Sequence, residues 1–357
     1  LTIQVRAHDE RWRPAVRAFN ARMAAAGKSG FFEDPVPDWL APAPGCPTHR
    51  ELFVALGDDE RAHGGYVLRH EAALIGGRPE QVASVQGPYS EGAADSRHAR
   101  TSFALIKDMM RRGPRLYGWG LETRPDVREL FGMFGWRSWA SPTLVWWGVP
   151  LWRSLRRGPA DVRVTVERDF GDWADAVRRD GGADYSFVPG RDAATLNAVY
   201  PTDDHGFHRL VIRRDAAVLG WAVVGIRRFV RHPRFRSLRV GAIWDAFGPV
   251  RHAGAVLGAA HAWLARAGAM VVLASFSDTR WSEVLRRRGF RPRGNERHLL
   301  MSPVLAAELG RLAETGAGRP FLTFGDAEGH RGPLGQALFG VPAPTGAGRS
   351  DAGLTGT

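Results

Sequence analysis

The chain has 357 residues, a formal net charge of +12, 44% apolar residues, 13 tryptophans and a single cysteine. That length exceeds one compact core and suits two domains, and the apolar content excludes global disorder. The basic excess is almost wholly arginine, because Lys28 and Lys107 are the only lysines. Arg, Ala, Gly and Pro are abundant together, as GC-rich codons favour, so part of the charge reflects composition and not a polyanionic partner. Cys46 alone excludes a disulfide framework or a multi-cysteine zinc site. No apolar run reaches about 18 residues. The N-terminal residues also lack a basic start followed by an apolar core. A soluble, cytoplasmic protein is expected.

Ile3, Val5 and Ala7 alternate with polar residues, the period of a half-buried strand. Asp9 then caps a helix with apolar positions Trp12, Val16, Phe19 and Met23, and Gly27 ends it. Glu51–Leu56 and Gly65–Ile75 read as strands around the polar turn Gly57-Asp58-Asp59-Glu60. Gln81–Val85 is a third strand, followed by a loop, Gln86–Ser96. A long helix with the stripe Ala99, Phe103, Ile106 and Met110 stops at Gly113-Pro114. A short strand, Leu116–Leu121, and a helix running into Phe131-Gly132-Met133-Phe134-Gly135-Trp136 follow.

The same order then begins again. Val162, Val164 and Val166 alternate, and Asp172 precedes a helical stretch with Trp173 and Val177. His208–Arg213 and Val218–Arg228 flank the turn Arg214-Asp215-Ala216, and Leu238–Phe247 is the next strand. Ala253, Leu257, Ala260 and Leu264 form the stripe of a second long helix ending at Gly268. Ala269–Phe276 and a helix closing in Gly289-Phe290 complete the set. Gly135 and Gly289 lie 154 positions apart, a domain-sized interval. Three parts are expected: a first domain at 1–157, a second at 158–330, and a Gly/Pro/Ala-rich loose tail at 331–357. The basic stretch Arg153–Ala160 marks the boundary.

This duplicated order resembles the GNAT N-acyltransferase superfamily over nearly all of residues 1–305. The likeness is carried by Trp281–Phe290 and Val218–Val224 in the second half, and by Val127–Trp136 and Gly64-Gly65-Tyr66-Val67 in the first. It implies an α/β (α+β) fold class, each half a mixed, mostly antiparallel central sheet flanked by helices. It also implies acetyl-coenzyme A or another acyl-coenzyme A as donor, with no metal. Transfer would be direct, to an amine of a small metabolite or sugar intermediate. In the family, Arg or Gln, two residues, Gly, one residue and Gly or Ala join the central strand to the long helix. Backbone N–H groups there surround the donor pyrophosphate, because a helix start offers orphan donors and a positive dipole end. The second half has Arg251-His252-Ala253-Gly254-Ala255-Val256, in which Val256 departs from the pattern. The first has Arg97-His98-Ala99-Arg100-Thr101-Ser102, with Arg100 at the expected glycine. The second half is therefore the expected donor half, through Phe247, Arg251, His252, Ala253, Gly254 and Ala255. The first is the degenerate one.

Direct transfer needs a deprotonated amine, a path for its proton and support for the oxyanion. The resemblance implies carboxylates near the end of the central strand, which here are Asp245 and Glu91; Tyr89, beside Glu91, would donate a proton to the leaving thiolate or a hydrogen bond to substrate. Ile243, Trp244, Ala246 and Phe247 surround Asp245, and desolvation there would raise its pKa. The competing reading has Asp245 tie down a loop or pair with an arginine. For Glu91 it is electrostatic support of a helix start. The acid tyrosine that family members carry near the last helix has no counterpart among Ser277, Trp281 and Ser282. His205, His208 and His252 lack zinc-site spacing, so no metal is expected. Pro320–His330 carries Asp326, Glu328 and His330, and either closes over the cleft or returns as a strand, Phe321–Phe324. Arg227, Arg228, Arg231, Arg234, Arg236 and Arg239, interleaved with Phe229 and Phe235, crowd one connection. They suit a solvated hairpin, a grip on a coenzyme A phosphate, or a nucleic-acid surface, the last not favoured. The alternatives to acyl transfer from coenzyme A are a Fem-type aminoacyl-tRNA-dependent transferase and a catalytically degenerate binding protein. A monomer or homodimer is expected.

Overall fold

The computed structural model describes residues 2–28, 30–31, 40–42, 47–120, 125–148, 159–201, 206–232, 235–293, 296–314, 316 and 318–327. Cys46, His205, Arg234, Glu328, His330 and the 331–357 tail lie outside the described residues.

The first half runs β1 (Gln4–Ala7), α1 (Arg13–Ala25), β2 (His49–Leu56), β3 (Ala62–Ile75), β4 (Arg78–Ser90), α2 (Ala99–Arg112), β5 (Leu116–Trp119), α3 (Pro125–Gly132), β6 (Arg137–Ser141) and β7 (Thr143–Trp147). The second runs β8 (Arg163–Glu167), α4 (Asp172–Gly181), β9 (Phe187–Val188), α5 (Ala193–Val199), β10 (His208–Arg214), β11 (Ala217–Arg228), β12 (Arg239–Phe247), α6 (Ala253–Arg266), β13 (Val271–Ser275), α7 (Thr279–Arg287), β14 (Arg291–Pro292), β15 (Arg297–Met301) and α8 (Pro303–Glu314). Asp9 accepts from the Arg11 N–H at the turn leading into α1, which buries Val16, Phe19 and Met23. Gly135 and Gly289 adopt φ of +76° and +91° just beyond α3 and α7, where a side chain would be strained. Trp136 and Phe290 follow into the cores.

Two mostly antiparallel sheets result, each flanked by helices, as the expected fold class requires. One has eight strands in the order β1-β2-β3-β4-β5-β15-β6, with β9 against β3; the other has seven, β14-β7-β13-β12-β11-β10-β8. Each contains a parallel pair, β4 with β5 and β12 with β13. The halves exchange a strand. β7 of the first half pairs with β13, and β15 of the second pairs with β5. Sequence-defined domains at 1–157 and 158–330 therefore do not each close their own sheet.

Two local expectations change. The segment 86–90, expected as loop, is strand: β4 continues to Ser90, and a register shift opposite Gly65/Val67 absorbs Gly87-Pro88. In α2 the buried face is Leu105, Ile106 and Met109, whereas Ala99 of the expected stripe is exposed. Phe103 turns partly outward to meet Phe134. The α6 stripe Ala253, Leu257, Ala260 and Leu264 is buried as expected.

Candidate active site

The central strand passes through two short 3-10 turns in the first half and one in the second into a helix of 14 residues that begins directly after an Arg-His pair. Arg97-His98-Ala99 and Arg251-His252-Ala253 thus occupy corresponding places. Their surroundings differ.

In the second half, acids of the chain itself cover the helix start. The Val250 N–H donates to Asp184 Oδ2 at 2.8 Å, and Arg251 Nη2 donates to Asp180 Oδ2 at 2.6 Å. The end of α4 lies against Gly248-Pro249 so closely that a Cβ on Gly181 would stand 2.8 Å from the Pro249 nitrogen. Gly254 is exposed, with no protein atom within 4 Å of a Cβ position. Ala253 is buried, while Ala255 and His252 are half-buried. Burial, then Arg251 and Arg214, lowers the His252 pKa.

The diverging ends of β12 and β13 are filled as well. Phe321, fully buried, packs on Tyr185, Trp281, Phe247 and Phe276 at ring distances of 4.7, 5.2, 5.4 and 6.0 Å. Phe324 stacks on Trp244 at 5.3 Å. Residues 320–323 make isolated bridges, Pro320 with Phe187 and Thr323 with Phe276, and then turn through Phe324–Ala327. The expected return strand is thus reduced to two bridges. Phe247 contributes to this packing.

Asp245 is 1% exposed. Tyr200 donates to its Oδ2 at 2.8 Å, Thr323 donates to its Oδ1 at 2.9 Å, and Arg191 Nη2 lies 3.3 Å from Oδ1. Arg191 also grips Asp326 with two hydrogen bonds of 2.8 and 2.7 Å. Beside this group, Arg69 and Tyr117 of the first half donate to Glu71, and Arg69 reaches the Asp326 carbonyl at 3.4 Å. Burial, opposed by Arg191, pushes the Asp245 pKa up to about 6. Burial likewise raises the Tyr200 hydroxyl, which stays a donor.

This shift has a consequence for stability. The folded value near 6 exceeds the unfolded value of about 4, so the folded protein binds the proton first on acidification. The stabilisation is complete below about pH 4 and lost as pH rises through about 6. Relative to Asp245→Asn, the wild type is expected to gain roughly 2–3 kcal/mol between pH 7 and 4. Urea unfolding at stepped pH checks this, and a pH-independent difference would refute it.

In the first half, Glu91 is buried at the turn after β4. It accepts from Arg22 Nε at 2.5 Å, Arg61 at 3.3 Å and His63 Nδ1 at 2.7 Å. Burial alone would raise its pKa, but hydrogen bonds from Arg22 and His63 hold the carboxyl below its ordinary value. Tyr89 is buried against Phe31 at 5.1 Å. At the start of α2, Arg97, Ala99 and Arg100 are exposed, while Gly92 lies so close that a Cβ on it would stand 2.9 Å from the His98 carbonyl oxygen. Asp95 accepts from Arg97, whose hydrogen bonds pull the Asp95 pKa down to about 2.

Sequence reasoning did not single out Arg191, Tyr200, Arg69, Glu71, Tyr117 or His63. Arg69 and Glu71 carried one signal, charged residues two apart in an apolar strand and so on one face. The arginines of the β11–β12 connection, Arg227, Arg228, Arg231, Arg236 and Arg239, are exposed around the packed rings of Phe229, His232 and Phe235.

No protein-family model and no curated protein sequence matches the chain. Solved structures do. A GCN5-related N-acetyltransferase from Kribbella flavida superposes with a TM-score of 0.55 at 14% identity, covering 86% of this chain and 73% of that one. One from Anabaena variabilis gives 0.54 at 12% identity, with 86% and 74% covered. Saccharomyces cerevisiae N-myristoyltransferase, solved with bound myristoyl-CoA and inhibitors, gives 0.50 at 9%, with 84% and 80% covered. The two exchanged sheets, their parallel pairs and these likenesses agree: the chain has the GNAT fold, duplicated in one polypeptide.

Proposed function

We propose that the protein is an acyl-CoA-dependent N-acyltransferase acting on an amine of a small molecule, and that its first half holds the donor. The contrast between the two helix starts carries this reading: Asp180 and Asp184, from α4 and the turn after it, meet that of α6, whereas at that of α2 Arg97 pairs only with the adjacent Asp95 and Arg100 is exposed. β4 also parts from β5 after Ser84 and Tyr117 and runs on against β3 to Ser90. N-myristoyltransferase, of similar fold, binds an acyl-CoA. This reverses the assignment of the donor to the second half.

In this reading the N–H groups at the start of α2, with Arg97 and Arg100, hold the pyrophosphate. The amine attacks the thioester directly in a ternary complex, so positioning and backbone hydrogen bonds supply the catalysis and no covalent nucleophile is needed. Tyr89, on the part of β4 beyond its pairing with β5 and opposite Gly65 of β3, protonates the leaving thiolate. Asp245 and Glu91, with their oxygens engaged by arginines and hydroxyl or imidazole donors, act as anchors.

Calorimetric titration with acetyl-CoA and longer acyl donors is expected to show one equivalent bound. The double variant Arg97→Ala/Arg100→Ala should weaken binding about tenfold or more, with Arg251→Ala unchanged. Tyr89→Phe should lower turnover without weakening donor binding. Absence of acyl-CoA binding to folded wild type would overturn the reading. Loss confined to Arg251→Ala would return the donor to the second half.

A further inference from the structure

His49 and Glu51 stand two residues apart on β2 and so leave the same face of the sheet. His70 on β3 is the cross-strand partner of His49 and projects from that face too. His70 Nε2 lies 2.7 Å from Glu51 Oε2, and the His49 and His70 rings stack at 4.7 Å. One donor atom from each side chain lies within 4.8 Å of the others.

From this juxtaposition we propose that His49, Glu51 and His70 form a Zn2+ site. Two imidazoles and a carboxylate are the donor set that zinc takes at about 2.0–2.2 Å in a tetrahedral arrangement, with water as the fourth ligand. Tetrahedral bonds of that length put donors roughly 3.3 Å apart. The His70–Glu51 contact therefore opens by about half an ångström while His49 swings in, as small side-chain rotations allow. Room exists for this because α2 ends at Arg112, whose guanidinium lies 4.0 Å over Phe53, the next residue on that face. Beyond it the side chains of Glu51 and His70 keep 42% and 27% of their exposure. The fourth position thus faces solvent.

Charge favours this cluster over the other histidine–carboxylate group, His63, Glu91 and His98. There the carboxylate is already held by the Arg22 and Arg61 cations, and a dication would add to them. Near Glu51, by contrast, Arg112 is compensated by Asp108 at 2.7 Å. The sequence hid the site because its histidines are 21 positions apart and meet only through strand pairing. Zinc there also ties β2 to β3 at the end of the sheet that α2 leaves uncovered.

The test uses the full chain, stripped with a chelator and titrated with zinc chloride alone against a competing chromophoric chelator. One equivalent is expected, with affinity reduced at least about tenfold in His70→Ala and in Glu51→Gln. His98→Ala should bind as the wild type does. Glu51→Gln keeps the side-chain shape, so the test survives if His70→Ala fails to fold. No binding by the wild type, equal binding by both cluster variants, or loss in His98→Ala would each overturn the assignment.

Discussion

Replacing Arg191 with methionine is expected to destabilise the fold by about 3–5 kcal/mol. Arg191 is 2% exposed and holds two carboxylates, Asp245 and Asp326, which are 1% and 2% exposed. Burial disfavours its charge, yet those acids hold it more firmly protonated than usual. Without it, two buried anions face each other with only hydroxyl and backbone donors. Removing one partner of a buried ionic group strands the other in low dielectric, which is costlier than losing the attraction itself. Guanidinium-induced unfolding of Arg191→Met against wild type measures the effect. Adding Asp245→Asn and Asp326→Asn should restore part of the loss, because it deletes the stranded charges. A single variant within about 1 kcal/mol of wild type, below the usual range for such a group, would show that the buried ionic group does not stabilise the fold.

Phe321→Ala is expected to cost about 3–5 kcal/mol. Its ring is fully buried among Tyr185, Phe247, Phe276 and Trp281, aromatic residues that cannot readily collapse into the space. The segment is tied at both sides of the ring. Leu322 and Ser277 exchange hydrogen bonds, and the Trp119 indole donates to the Thr323 carbonyl. The segment therefore packs as core, and the variant should unfold earlier while binding no more acyl-CoA equivalents than wild type. Thermal unfolding and calorimetric stoichiometry report the two parts. A variant of unchanged stability that gains a second equivalent would mean the segment is a displaceable plug over a working second site.

The duplication was legible because both halves repeat local signals that do not depend on partners: alternating strands, apolar helix stripes and a glycine before an aromatic. The paired helix starts, Arg97-His98-Ala99 and Arg251-His252-Ala253, were legible for the same reason. Which start meets acids from a distant segment was not. The acids that cover the second one, Asp180 and Asp184, lie about 70 positions earlier and arrive there only when α4 packs on Gly248-Pro249. Asp245 stood out in the sequence as a carboxylate in an apolar strand. Its partners Arg191 and Tyr200, which flank α5, and Thr323 come from two distant segments, and nothing local announces them.

The same division runs through the opening quantities. Length and periodicity determined two related halves of alternating strands and helices, since burying a strand or helix face needs only the right residue period, and the mixed sheets were implied by the family resemblance. The strand exchange of β7 and β15 was decided in three dimensions, because edge hydrogen bonds are alike for any strand and partner choice rests on what packs above and below. The closing of the second helix start, the buried ionic group and the His49–Glu51–His70 cluster were decided there too. Each depends on charged or ligating groups meeting across long sequence separations, where distance and desolvation, not spacing, set what they do.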